Sequence, residues 1–481
     1  MKIKFSGNKK QIKGITLASN ALAYYKEHCF PMKFINDEGK EEKFNKFEDL
    51  FPNKFQYGNS WTICNGHKLN KISMEECNDY FSEYYFGGVT MANPLYKGNM
   101  LIHKDFYLKE KLLDTLKKEK RNYVITNFKE RIIDVNSLYP FVMRKGKLPY
   151  GTPIVMEYPT LKQLKEIAKH KCIFLEIEGL TGCLKDKKLP IIPKNKCDKL
   201  GASTLYKTTL LSESLGAFIE EFELIKEHYD IIEYTIVKAY IFKCATGKLF
   251  AKYIDKFTEL KIHYAEKIDG KPNPNYDECG RQNAKLMQNT LYGKFGMRID
   301  KDSILKMFIK DEWVTKKKEK SKGNYIYPIL SARITSLARI YMFSIIDKMP
   351  YQQFLYMDTD SIHFLESESF SLDNLYQLDL IDSAKLGYFD NEDDTLCSIY
   401  LAPKKYAFYS IKKGKLEIKC GGLPEDAKKE ITIITDFYYG YESKSKLQQK
   451  YIKGGIKLTS VKFRILSPKD DILELNGKIG V

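Results

Sequence analysis

The chain has 481 residues, 43% of them hydrophobic and 29% charged. At about 150 residues per domain, that is material for roughly three domains with a substantial core, and it excludes disordered, collagen-like and coiled-coil chains. Lys and Arg number 79 against 62 Asp and Glu, a formal charge of +17, which points to a polyanionic partner, nucleic acid or an anionic membrane surface, or to a protein that is simply Lys-rich.

The N-terminal stretch MKIKFSGNKKQIKG is basic with no apolar run behind it, so no signal peptide is expected. No run approaches the ~18–20 apolar residues of a membrane span. The 10 cysteines are scattered, with no C-x-x-C pair. Reduced thiols, a cytosolic setting and no zinc site are expected. Residues 37–49 are charged and read as a solvated loop or helix edge. Residues 107–121 carry apolar residues at helical spacing on a charged background and predict an amphipathic helix. Tyr123-Val-Ile-Thr and Arg131-Ile-Ile-Asp134 predict short strands. Residues 264–280, rich in Gly, Pro and Asn, predict a loop between a helix starting near Lys248 and another starting near Gly280. The basic run 316–323, KKKEKSKG, reads as a solvated turn or as a contact to a nucleic-acid backbone. In 354–365, FLYMDTDSIHFL, two apolar runs flank a polar centre, which predicts a β-hairpin with Asp-Thr-Asp at its tip.

Two acidic sites stand out. Asp134 closes the strand Ile132-Ile133 and opens the turn 135–140; Asp358 and Asp360 lie in the hairpin. Carboxylates at strand ends suit Mg²⁺, which takes oxygen ligands from one or two carboxylates plus substrate phosphates. Two such ions about 3.5–4 Å apart stabilise the attacking and leaving oxygens of a phosphoryl displacement. The alternative is structural: Asp134 as a helix cap, Asp358 and Asp360 as turn formers. Arg281, Lys285, Asn289 and Tyr292 are spaced four, four and three apart, so they share one helix face. Gly293 is expected to end that helix. Two cations followed by an amide and a phenol suit a triphosphate at one end and a base or sugar at the other; a solvated amphipathic face is the alternative.

These segments carry a resemblance. Asp134-Val-Asn-Ser-Leu-Tyr-Pro140 resembles the D-x-x-S-L-Y-P motif of family B DNA polymerases. Lys285-Leu-Met-Gln-Asn-Thr-Leu-Tyr-Gly293 resembles their K-x-x-x-N-[ST]-x-Y-G motif, and Tyr356-Met-Asp-Thr-Asp-Ser361 their Y-x-D-T-D-S motif, in the same order. Tyr85-Phe-Gly-Gly88 resembles the Y-x-G-G linker of the protein-primed branch found in phages and linear plasmids. Lys404-Lys-Tyr406 resembles its K-x-Y motif, and Leu386-Gly-Tyr-Phe389 and Leu416–Gly422 resemble further segments of those enzymes. The likeness covers roughly residues 80–465.

The resemblance implies an α+β right-hand polymerase: a palm with an antiparallel sheet, fingers and thumb, two insertions and a short N-terminal segment. The parts would be an N-terminal segment with the Y-x-G-G motif at 1–125, palm at 126–195 and 326–421, a terminal-protein-docking insertion at 196–240, fingers at 241–295, a second insertion at 296–325 that encloses DNA, and a thumb at 422–481. It implies DNA-directed DNA synthesis from a primer hydroxyl, with two Mg²⁺ ions (or Mn²⁺) as cofactors. Asp134 and Asp360 would ligate metal with the Val135 carbonyl assisting, and Asp358 would support catalysis. Ser137, Leu138, Tyr139, Arg281, Lys285, Asn289 and Tyr292 would bind the nucleotide, Tyr139 excluding a 2′-hydroxyl. Tyr85, Gly87, Gly88, Gly293, Thr359, Ser361, Lys404, Tyr406 and Lys419 would bind DNA. Partners would be template and primer DNA, dNTPs, a terminal protein and a separate exonuclease polypeptide, with no membrane, in the cytoplasm of a bacterial host. Residues 1–133 contain no D-x-E and no Y-x-x-x-D, so no 3′–5′ exonuclease is expected in the chain. The rival readings are a non-catalytic DNA-binding remnant of a polymerase and a polymerase using DNA or self-made primers.

Overall fold

The structure, a computed structural model, describes residues 16–52, 62–64, 67–69, 74–192, 208–268, 271–297, 304–309, 312–317, 327–442, 446–452, 455–461 and 464–465. It has two compact units. One comprises Met1–Gly88, Ser137–Lys301 and Ser321–Met342; the other comprises Val89–Asn136, Asp302–Lys320 and Phe343–Val481. Both mix helices with antiparallel sheet.

The second unit is built on a nine-stranded sheet. Its main path runs Lys415–Cys420, Lys405–Ser410, Phe389–Ala402, Glu130–Val135, Ser361–Leu365, Phe354–Asp358, Thr90–Ala92. Met100–His103 pairs with the far end of Phe389–Ala402, and Tyr123–Thr126 runs parallel beside it. The strands expected at 123–126 and 131–134 are therefore present. So is the helix within 107–121, at Lys109–Lys118. Its Leu112, Leu113 and Leu116 recur on one face and enter a core with Met100, Ile102, Cys397, Ile399 and Ala407. On the opposite sheet face, Ile132, Leu355, Tyr356, Tyr400, Tyr406 and Phe408 form a second core.

The first unit holds a four-stranded sheet in the order Thr209–Phe218, Cys172–Leu184, Tyr229–Thr246, Lys147–Glu157. The boundary expected at 195/196 thus falls inside one continuous structure: strands before it pair with strands after it. Residues 196–207 of the first insertion lie outside the described residues, as do 318–323 of the basic run. The second insertion supplies a hairpin, Ile304–Ile309 with Glu312–Lys317.

Three local expectations are corrected. Residues 37–49 are not one open loop: Glu41–Lys43 pairs with Lys33–Ile35. The turn between them is closed by Asn36 Oδ1, which accepts from the Glu38 and Lys40 amides, with Gly39 at φ +77°, a local side-chain turn that charge content does not reveal. The helix around Gly293 does not stop there but runs Glu278–Phe295, with Gly296 as its cap. Buried Leu291 and Phe295 outweigh the cost of an interior glycine, about 1 kcal/mol. Finally, helix Pro328–Ile346 is long and apolar enough to cross a membrane, with mean hydropathy 1.4. Within the protein 78% of that window is buried, the pattern of a core helix, and Arg333 and Arg339 on it are engaged in ion pairs.

Candidate active site

In the second unit, sheet register brings the acidic residues together. In an antiparallel sheet, directly opposed residues point to the same face. Asp134 is opposed on one side by Ser361 and on the other by Asp390. Ser361 is opposed by Asp358, and Asp358 by Thr90. One row therefore crosses five strands on one face: Asp390, Asp134, Ser361, Asp358, Thr90. Asp134 and Asp358 sit two strands apart, about 10 Å at backbone level, with their side chains on one surface. Asp360 joins the row through the backbone, because its carbonyl accepts from the Val135 amide at 2.8 Å.

The strand carrying Asp134 ends at Val135, and only Asn136 and Ser137 form the turn. The turn expected over 135–140 is shorter because helix Leu138–Lys145 begins at once. Pro140, in the first helical turn, has no amide to leave unpaired there. Asn136 is clamped to Gly387 and Tyr388 by a reciprocal pair of backbone bonds, 2.9 and 2.8 Å.

The hairpin tip is strained. Thr359 has φ +64°, rare for a β-branched residue. The Asp360 amide donates to the Asp358 carbonyl at 2.7 Å, so Asp358-Thr359-Asp360 forms a three-residue turn of the uncommon positive-φ kind. The Thr359 amide donates to the Val89 carbonyl at 2.8 Å, which holds the tip against its neighbour.

Asp358 Oδ1 accepts from Thr90 Oγ1 and from the Lys404 ammonium, both at 2.9 Å. The Lys404 amide donates to the Tyr356 hydroxyl at 2.8 Å. Tyr356 stacks on Tyr400 (centroids 5.1 Å, 17°) and meets Tyr406 at 4.6 Å. Burial, then the nearby Asp358 carboxylate, push both the Tyr356 and Tyr406 phenols up, so both stay protonated. Tyr406 is buried in this aromatic layer, whereas Lys404 and Lys419 are exposed. Lys419 stands opposite Tyr406 on the adjoining strand.

Sequence reasoning did not find Glu130, at the far end of the Asp134 strand. It is buried and accepts from Ser398 Oγ at 2.6 Å and from the Tyr400 hydroxyl. His363 Nδ1 lies 2.8 Å from that hydroxyl. A carboxylate opening an apolar strand was the only signal available.

Among the described residues no three His, Cys, Asp or Glu side chains form a ready metal cage. The donors present are hard oxygens in an open arrangement. That suits Mg²⁺, which keeps waters and shares substrate phosphates.

The nucleotide candidates belong to the first unit. On helix Glu278–Phe295, Ala284, Met287, Gln288, Leu291 and Phe295 are buried, against helix Ala251–His263. The Tyr253 hydroxyl donates to the Met287 carbonyl, and Gln288 donates to the Ile254 carbonyl and to Thr258. Arg281, Lys285, Asn289 and Tyr292 occupy the other, less covered face. Arg281 pairs with Glu278 at 3.4 Å. The Tyr292 ring lies 4.5 Å from Tyr139. Lys261, which sequence reasoning also missed, donates to Ser137 Oγ at 3.3 Å. Leu138 is buried. A Cβ on Gly87 or Gly293 would meet no heavy atom within 4 Å, so packing does not require glycine at either place.

The family described as DNA polymerase type B, organellar and viral, matches residues 121–389, which include Asp134, the 278–295 helix and the 358–360 turn. Similar proteins include the DNA polymerase of Bacillus phage phi29, 30% identical over 360 residues, 69% of this chain and 57% of that one. The DNA polymerase of Streptococcus phage Cp-1 is 30% identical over 346 residues, 69% of this chain and 56% of that one. The chain thus spans little more than half the length of these relatives. The fold matches that of phi29 DNA polymerase solved with primer-template DNA and incoming nucleotide substrates, with TM-score 0.70, 24% identity and coverage of 94% of this chain and 68% of the other. The chain belongs to the organellar and viral type B DNA polymerases.

Proposed function

We propose that this chain is a DNA-directed DNA polymerase that adds dNTPs to a primer hydroxyl and starts by protein priming. The observation that carries the reading is the row of Asp134, Ser361 and Asp358 on one sheet face, tied to Asp360 through the Val135 amide. A purely structural role needs no such convergence of acidic groups from segments so far apart in sequence.

In this reading Asp134, the Val135 carbonyl and Asp360 hold two Mg²⁺ ions, with Mn²⁺ as substitute, and Asp358 assists. When bound, such ions stabilise the attacking and leaving oxygens of the displacement. The primer 3′-oxygen attacks the α-phosphorus, its proton passes to solvent or base, and the α–β bridging oxygen leaves with pyrophosphate. Arg281 and Lys285 grip the triphosphate, with Asn289, Ser137 and Leu138 beside it. Tyr292 abuts the new base pair, and Tyr139 excludes a 2′-hydroxyl. Lys404 and Tyr406 hold the primer end; Lys419, Thr359, Ser361 and Gly293 line its path. Tyr85, Gly87 and Gly88 hold the template. A terminal protein supplies the first hydroxyl and docks on the 196–240 insertion, and the 296–325 insertion encloses DNA. The chain itself removes no mismatched 3′ ends; a separate exonuclease polypeptide would. The phage relatives favour the bacterial cytoplasm as the place of action.

Primer extension tests this. With Mg²⁺ and dNTPs the wild type extends a primed template, and Asp134→Asn loses at least about 10³-fold in rate, some 4 kcal/mol of barrier, with DNA affinity near normal. A wild type that binds DNA but extends neither a DNA primer nor its cognate terminal protein would leave a non-catalytic DNA-binding role.

A further inference from the structure

We propose that Arg339 is a positioning residue for the loop Tyr85–Gly88, and through it for the grip on the template strand; the second half rests on the function proposed above. Residues 85–88 lie outside any helix or strand. Backbone carbonyls withdrawn from water must find a donor elsewhere. Arg339 provides it. The residue is only 7% exposed, and its guanidinium donates from Nη1 to the carbonyls of Phe86 (2.9 Å) and Gly87 (2.8 Å). From Nε and Nη2 it makes a bidentate pair with the equally buried Glu221, at 2.6 and 3.0 Å.

A buried ion pair of this kind contributes little net stability compared with apolar side chains of the same volume. What it adds is direction. The planar fork is fixed on one side by Glu221 and therefore holds two consecutive peptide groups at a set angle. Arg333, on the same helix, serves as an internal comparison. It pairs bidentately with Glu220 and donates to the Lys147 carbonyl rather than to the 85–88 loop.

The same helix sets the other side of the loop. Ser331 donates to the Tyr292 carbonyl at 2.6 Å. Ser331 and Arg339 are eight residues apart, about 12 Å along one helix face. Tyr85 fills the space between: a Cβ on Gly296 would come within 2.6 Å of its ring. Burial, then the neighbouring Tyr292 phenol, raise the Tyr85 phenol, against the opposing effect of Arg339. Tyr292 in turn meets Tyr139 at 4.5 Å. One rigid helix therefore fixes the spacing between the glycine loop and the Tyr292–Tyr139 pair. The outer side of Gly87 is left open, as a close backbone approach requires.

The test uses the full chain. Arg339→Met alone would strand a buried Glu221 charge and threaten folding, so the informative variant is Arg339→Met/Glu221→Leu, which removes both charges together. The comparison is Arg333→Met/Glu220→Leu. The first readout is amide hydrogen exchange, which needs no DNA. In the Arg339 double variant, exchange at residues 85–90 rises at least tenfold while helix 278–295 keeps its protection; in the Arg333 double variant the loop is unaffected. The second readout is steady-state extension. KM for primer-template rises at least tenfold with kcat within about threefold, whereas Arg333→Met/Glu220→Leu leaves KM unchanged. Unchanged loop exchange in a folded Arg339 variant refutes the positioning. Raised exchange with unchanged KM, against a wild type that binds DNA, refutes the coupling to template. A wild type that binds no primer-template overturns the function proposed above, and with it the template half, while the exchange result still decides the positioning.

Discussion

Gly293→Ala separates folding from function at one atom. Gly293 lies two residues before the end of helix Glu278–Phe295. It is absent from the positive-φ residues, and an added Cβ would meet nothing within 4 Å. The methyl group therefore brings no clash and no burial, and the change should register only helix propensity and chain entropy, about 0.5–1 kcal/mol in favour of Ala. In a unit of this size that is a rise in melting temperature of roughly 1–4 °C. If the primer or nucleotide passes over this face, the methyl occupies space that a sugar or phosphate needs, and a displacement of about 1 Å can cost 10²-fold in rate. The expected variant melts higher and extends primers about 10- to 100-fold more slowly, measured by scanning calorimetry and single-turnover extension. Higher stability with full activity would refute the contact assignment. Lower stability would refute the helical placement.

Tyr139→Val should incorporate ribonucleotides at least tenfold more readily relative to deoxynucleotides, and unchanged discrimination would remove the sugar-gate assignment. Lys404→Met should leave stability within about 1 kcal/mol, because its pair with Asp358 is largely exposed on the lysine side, where such pairs contribute little; extension of a DNA primer should nonetheless fall more than tenfold. The first unit should lose stability in acid. Burial pushes the Glu220 carboxyl up, but the Arg333 charge and hydrogen bonds outweigh it and hold it below its ordinary 4.5. A depressed carboxyl contributes stability above the unfolded value, which is lost as pH falls through the folded one. Urea midpoints should therefore be flat from pH 7 to about 5 and drop below about 4.5, and Glu220→Gln should flatten that drop. An unchanged acid profile in this variant would show that the Arg333–Glu220 pair is not what titrates.

Strand periodicity and turn chemistry were enough to read the hairpin 354–365, because its elements are close in sequence. The face that Asp358 shares with Asp134 was not legible. That face depends on pairing between Glu130–Val135 and Ser361–Leu365, segments separated by more than two hundred residues. No local pattern encodes such a register. Gly293 misled because glycine is a common helix terminator, whereas here burial of Phe295 carries the helix past it. Arg339 and Glu221 were invisible for a different reason. Charged residues are rarely fully buried, so a Glu pair and two arginines carry no local sign of burial. The sign lay in their setting, two arginines within the otherwise apolar helix Pro328–Ile346.

The strain at Thr359 explains why the carboxylate turn needs so many clasps. A β-branched residue at φ +64° carries a cost on the order of 1–3 kcal/mol and persists only where its surroundings over-determine it. Four bonds do so here: Thr359 amide to Val89, Val135 amide to Asp360, Thr90 hydroxyl to Asp358, and Lys404 amide to Tyr356. Each comes from a different neighbour: the connection before the edge strand, the Asp134 strand, the edge strand itself and the bend after residue 402. The turn is therefore held by the whole width of the sheet rather than by its own two strands. That arrangement turns sheet pairing into carboxylate geometry: a slip of one residue anywhere along the row would send a side chain to the opposite face. The aromatic layer of Tyr356, Tyr400 and Tyr406, beside the row on the same face and pinned by Glu130 and His363, guards against that slip, because a shifted register would break up these ring contacts and carry carboxylates to the opposite face, among the buried Ile133, Met357 and Ile362.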